Sequence, residues 1–203
     1  MGTVFDLTIH NDSNLSGNFC IYQRDPVQDA GPDFYSLAWF SKSAHPATEL
    51  AFQWDVEYSL LWDESGILTP GAVAQFGREK DLDLSVPAKT ASAISAKGGG
   101  GLVQTNCEVP AGKIGILTDN SIPERGVPVG IGVSGRPAFA MNALPNDAFT
   151  FQPHPHYWVA FGDFREGEVM DVDLIQQGCE LVFDREHRAE VSLGRDLQWR
   201  RQV

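Results

Sequence analysis

The sequence predicts an all-β protein, an antiparallel β-sandwich of jelly-roll-like kind with little helix, and three observations carry that reading. Apolar residues recur with a period of two through most of the chain, as strands with one buried face require. Twelve prolines and 20 glycines punctuate those runs as turn signals. No stretch sustains the 3.6-residue spacing of an amphipathic helix. Many short strands separated by frequent turns make a sandwich or barrel.

Taken in order, the strands are Phe5-Leu7-Ile9, Phe19-Ile21 and Tyr35-Leu37-Trp39. The clearest follows: Val56, Tyr58, Leu60 and Trp62 share one face, while Asp55, Glu57, Ser59 and Asp63 share the other. Ala88 to Ala96 is rich in Ala, Ser and Thr and runs into Gly98 to Gly101, which reads as a hairpin loop because glycine leaves φ unrestricted. A phosphate cradle would need a helix after those glycines, and Leu102 to Asn106 reads as strand. Ile114-Ile116, Val127-Val129-Ile131-Val133, Tyr157-Val159-Phe161, Met170-Val172-Leu174 and Leu181-Phe183 complete the pattern. A chain of 203 residues with 42% hydrophobic content supports one sizeable core. Residues 1–184 are expected to form a single sandwich domain and residues 185–203 a polar, Arg-rich tail.

Charge and cysteines narrow the partners and the compartment. Fifteen Lys and Arg against 27 Asp and Glu leave a net charge of −12, which repels nucleic acid and anionic membranes. The first 20 residues hold no Lys or Arg and no continuous apolar run, unlike a secretory signal. Cys20, Cys107 and Cys179 are odd in number and far apart, so a reducing, cytoplasmic setting with free thiols is expected. Asn11-Asp12-Ser13 and Asn14-Leu15-Ser16 match the glycosylation pattern but read as turn residues.

Candidate chemistry is sparse. Gly130-Ile131-Gly132-Val133-Ser134-Gly135 matches the dinucleotide pattern GxGxxG, but no helix follows. Its glycines alternate with Val129, Ile131 and Val133, so one strand face is stripped of side chains and admits another backbone or a ligand. Ser134 has no glycine two residues on and is no nucleophile elbow. His154 and His156 project from one strand face and make half of a metal site, with Asp163, Glu168, Asp171 and Asp173 as further oxygen donors. The simpler account is a kinked strand entrance at Pro153 and Pro155. Trp158 shares the face of His156, whereas Tyr157, Val159 and Phe161 point the opposite way, so Trp158 is a platform on which sugars or other flat ligands could stack. Carboxylates suited to glycoside hydrolysis are many, among them Glu57, Asp63, Glu64, Asp163, Glu166 and Glu168, and nothing selects a pair.

Several spaced segments carry a resemblance. They are Tyr22-Gln23 with Asp25-Pro26, Ser36 to Phe40, Phe52-Gln53-Trp54, Tyr58 to Trp62, Val129 to Gly135, Phe149 to Trp158, Phe161-Gly162-Asp163 and Gly167 to Asp171. Over about Val4 to Asp173 the chain resembles the rhizosphere-induced protein family of bacteria. The resemblance implies a soluble bacterial protein whose relatives are switched on by cell-density signalling near plant roots. It implies no agreed reaction and no catalytic residues. The Gly98 to Gly101 run and the segment from Arg185 are the expected departures.

Three functions follow from these readings. The first is a binding protein for a small molecule or carbohydrate, with Trp158, His154, His156, Gly130, Gly132 and Ser134 at the site and no cofactor. The second is an enzyme that uses His154 and His156 as metal ligands or as acid and base. The third is a structural protein that self-associates into a homo-oligomer through exposed strand edges.

Overall fold

The computed structural model describes residues 3–24, 34–64, 66–86, 90–97, 103–110, 112–151, 153, 156–171 and 177–202. The Gly98 to Gly101 run lies outside them. Among the described residues there are seventeen strands and no helix, an all-β fold.

Four sheets form, numbered here by position. The first contains β1 (Val4–Asn11), β5 (Thr48–Asp55), β16 (Arg188–Leu193) and β17 (Trp199–Gln202), in the order β17-β16-β1-β5. The second contains β2 (Gly17–Gln23), β4 (Phe40–Ala44), β14 (Tyr157–Gly162) and β15 (Cys179–Glu180), in the order β15-β14-β2-β4. The third contains β3 (Phe34–Ser36), β6 (Tyr58–Trp62), β7 (Arg78–Asp81), β11 (Val127–Val133) and β12 (Arg136–Ala143), in the order β3-β12-β11-β6-β7. The fourth contains β8 (Ala91–Ser95), β9 (Val103–Cys107), β10 (Ile114–Thr118) and β13 (Ala148–Phe151), in the order β13-β10-β8-β9.

The sheets pack in facing pairs because each turns one apolar face inward. The first meets the second through Phe5 and Tyr157, with ring centroids 5.2 Å apart, and through Trp54 and Tyr157 at 4.9 Å. The third meets the fourth through Phe139 and Phe151 at 4.9 Å. One core runs through both pairs, and Trp39 joins them. Its fully buried ring stacks on Tyr157 at 5.7 Å and its indole N–H donates to Val133 O at 2.8 Å.

Two pairings are parallel, β1 with β16 and β8 with β10, where the sequence pattern led to antiparallel sheets throughout. Period two shows which face is buried and says nothing about strand direction. The chain end also differs from a loose polar tail. Residues 188–202 supply β16, an inner strand of the first sheet, and β17 beside it, with Val191 and Leu193 buried in the main core. Arg188 and Glu190 between the apolar positions, with Arg200 and Arg201 on β17, give the segment its polar look and mask the alternation of Ala189, Val191 and Leu193.

Smaller differences share a cause. The strand read as beginning at Val56 starts at Tyr58, and all five residues of β6 are buried. Its outer face is covered, since Leu68 and Ala74 join Leu37, Ala140 and Val169 in a second apolar cluster outside the third sheet. A third cluster of Cys20, Tyr22, Ala38, Ala160, Phe164 and Met170 lies outside the second sheet. Residues 66–77 and 163–170 form these covers and hold each other by backbone hydrogen bonds, such as Val169 N to Ala72 O and Ala74 N to Gly167 O. Leu181 to Phe183 extends as irregular chain rather than strand, with Leu181 still in the core. Val172 and Leu174 lie outside the described residues.

Asn11 and Ser13 act as turn residues: buried Asn11 donates to Leu15 O and His45 O and accepts from the Ser13 hydroxyl. Cys20, Cys107 and Cys179 are free thiols, and burial pushes Cys20 well above its ordinary pKa. Titration of the denatured, non-reduced protein is expected to return three thiols per chain, and a count of one would contradict the assignment.

Candidate functional site

Trp158 stands on β14 across from Tyr22 and Glu180, on the outward face, half-buried against the Cys20, Tyr22 and Phe164 cluster. Its ring is already covered, because the Arg24 guanidinium lies 3.8 Å above its centroid. Arg24 also donates to the Tyr22 hydroxyl at 3.4 Å, a long contact. Burial pushes the Tyr22 phenol up to about 12, against a smaller opposing pull from Arg24, so it stays neutral at pH 7. His156 is exposed, with Nδ1 3.6 Å from a Glu180 oxygen. His154 and Asp173 lie outside the described residues. Asp163 and Asp171 are exposed, and Glu168 pairs with Arg165. Among the described residues no three His, Cys, Asp or Glu side chains gather as a metal site.

Gly130 and Gly132 are on another sheet, in the middle of β11, facing away from the main core. The space above them is filled by the chain itself. A Cβ on Gly130 would stand 2.6 Å from Phe139 O and 3.0 Å from the Phe76 ring, and one on Gly132 would stand 2.2 Å from Ser59 Oγ. Gly130→Ala is therefore expected to lose about 1 to 3 kcal/mol of stability, since a backbone oxygen cannot step aside. Gly132→Ala should lose less because a hydroxyl can rotate. Denaturant midpoints of the two variants check that order.

Ser134 and Gly135 have φ of 50° and 69°, the signature of a two-residue hairpin turn whose twist matches its strands. Ser134 N donates to Glu57 O at 2.8 Å, which pins the turn. Its consequence is the placement of Arg136, the first residue of β12, whose guanidinium lies 4.7 Å from the Phe40 ring centroid and pairs with Glu166.

Arg136 forms one wall of a cleft of about 520 Å³ between β4 and β5, the free edges of the second and first sheets. Phe40 and Phe52 form its floor, their centroids 6.2 Å apart. Lys42 forms the other wall, its ammonium 4.5 Å over the Phe52 ring and bonded to Ala51 O. Asp6, Gln53, Ser41 and Glu166 complete the rim, with the Gln53 amide donating to Asp6 at 2.8 Å. Chemically this is an apolar floor ringed by two cations, two carboxylates, an amide and a hydroxyl, able to hold a small polar ligand from several directions. Sequence reasoning missed it because its parts come from separate strands. Its traces were Glu166 among the carboxylates and Phe40 and Phe52-Gln53 among the motifs.

A profile of the RhiA family matches residues 2–202. Protein RhiA of Rhizobium leguminosarum bv. viciae is 31% identical over 185 residues, covering 90% of this chain and 78% of that protein. The match runs past the expected limit at Asp173 and takes in β16 and β17. No solved structure matches.

Proposed function

The chain belongs to the RhiA, or rhizosphere-induced, family, and on that premise we propose that it binds a small polar molecule or carbohydrate in the cleft between β4 and β5. The supporting observation is the convergence of Phe40, Phe52, Lys42 and Arg136 from three sheets, and of Glu166 from the 163–170 cover, on one opening of small-ligand size. Phe40 and Phe52 are buried beneath Arg136 and Lys42, so the support comes from the rim, whose charged groups, amide and hydroxyl suit the hydroxyls of a sugar, which take hydrogen bonds. The charge of −12 disfavours nucleic acid and anionic lipid as partners, and no helix among the described residues is long and apolar enough to cross a membrane. A cytoplasmic place and a link to cell-density signalling near roots belong to this proposal, supported by the free thiols and by the family.

Saturation-transfer NMR with a panel of monosaccharides tests the binding step. Transfer to at least one sugar is expected, lost in Arg136→Ala and retained in Trp158→Ala. Transfer that survives Arg136→Ala and vanishes with Trp158→Ala would return the site to the end of β14, where a ligand has to displace Arg24.

A further inference from the structure

Four charged side chains line the cleft between β4 and β5, and they fall into two kinds. Arg136 and Glu166 pair with each other, so neither requires an opposite charge from a ligand. Asp6 and Lys42 form no ion pair among the described residues. Asp6 accepts a neutral amide N–H from Gln53 on Oδ1 at 2.8 Å, which leaves Oδ2 without a partner. Exposed Lys42 donates one N–H to Ala51 O and lies over the Phe52 ring, which leaves two N–H groups. In a chain of net charge −12 the cleft is thus locally neutral, with one cation and one carboxylate left over.

The two left-over charges stand apart. Asp6 pairs with Gln53 across β1 and β5, and Ala51, which holds the Lys42 ammonium, is its diagonal neighbour. Diagonal residues of an antiparallel pair lie roughly 7 to 8 Å apart. A neutral sugar would leave both charges without a counter-charge, a simple acid would meet Asp6, and a simple amine would meet Lys42. An α-amino acid carries its ammonium on the carbon next to its carboxylate, too close together to reach both. Resting on the cleft as the ligand site, we propose that its occupant is a zwitterionic sugar, with an ammonium and a carboxylate at different ring positions. The ammonium donates to Asp6 Oδ2 and the carboxylate accepts from Lys42 Nζ, each as a charge-assisted hydrogen bond.

Calorimetric titration of the full chain at pH 7 with four related sugars tests this. Muramic acid carries both charges, N-acetylmuramic acid only the carboxylate, glucosamine only the ammonium, and glucose neither. Muramic acid is expected to bind several-fold tighter than each of the other three. Its advantage over N-acetylmuramic acid should vanish in Asp6→Asn, and its advantage over glucosamine should vanish in Lys42→Gln. Muramic acid bound no tighter than glucose, a singly charged sugar bound tightest, or an advantage that both variants keep would overturn the proposal and still leave the cleft a sugar site. Silence from all four sugars would overturn the carbohydrate reading along with it. The comparison of the four sugars needs no variant to fold.

Discussion

Removing residues 185–203 is expected to leave no folded protein. The deletion takes β16 from inside the first sheet, strips β1 of its parallel partner from Asp6 to Asn11, and removes β17 as well. Val191 and Leu193 are 1% and 2% exposed, and Trp199 packs on the same core and on the Phe19 ring at 5.9 Å. Burial of each such side chain contributes about 1.5 to 3 kcal/mol. Three of them, with the lost ladder hydrogen bonds, match the whole stability of a typical domain, about 5 to 15 kcal/mol. Far-ultraviolet circular dichroism and a thermal melt check this: the truncated chain should show no cooperative transition. A melt like that of the full chain would mean that the terminal strands are ornaments on a sheet that closes without them.

The second large effect separates two adjacent residues. Tyr157 is 1% exposed and its ring contacts those of Phe5, Trp39, Trp54 and Phe183, so Tyr157→Ala should cost about 3 to 5 kcal/mol through lost burial and the cavity left behind. Trp158 points the other way, half-buried, with Arg24 rather than core on its free face. Its truncation should cost roughly 1 to 2 kcal/mol, because only part of its surface is withdrawn from water. Urea melts of both variants measure the gap. Equal large losses would show that the outer cluster is as essential as the main core.

These residues also show what can be read from the sequence. Tyr157 and Trp158 fall on opposite faces because successive Cβ atoms in a strand alternate, and that requires no tertiary knowledge. The same rule locates Phe5, Leu7 and Ile9, and Val129, Ile131 and Val133, in the core where they are found. It fails where burial is two-sided. Ser59 and Leu61 look outward by alternation, yet residues 66–77 cover that face, and nothing local to β6 announces a distant cover. Strand direction is equally silent, so the parallel pairing of β1 with β16, about 180 residues apart, could not be foreseen. The candidate cleft is the least legible feature. Trp158, His156 and the bare glycines stand out as local patterns, whereas the cleft draws Asp6, Lys42, Phe52, Arg136 and Glu166 from five separate stretches of chain. The signal that could have pointed there is the Ser134-Gly135 turn, since a two-residue hairpin presents the next side chain, Arg136, at a sheet end.

The binding claim rests on where a ligand lands, and backbone amide NMR of the isotope-labelled chain reads that position directly. Titration with the sugar that shows saturation transfer should shift the amides of Ser41, Lys42, Ala51, Phe52, Gln53 and Glu166 together, with one common saturation curve, while Trp158 and Ala160 stay still. Shifts confined to residues 156–160 and 178–180, with the β4 and β5 amides unmoved, would contradict the account.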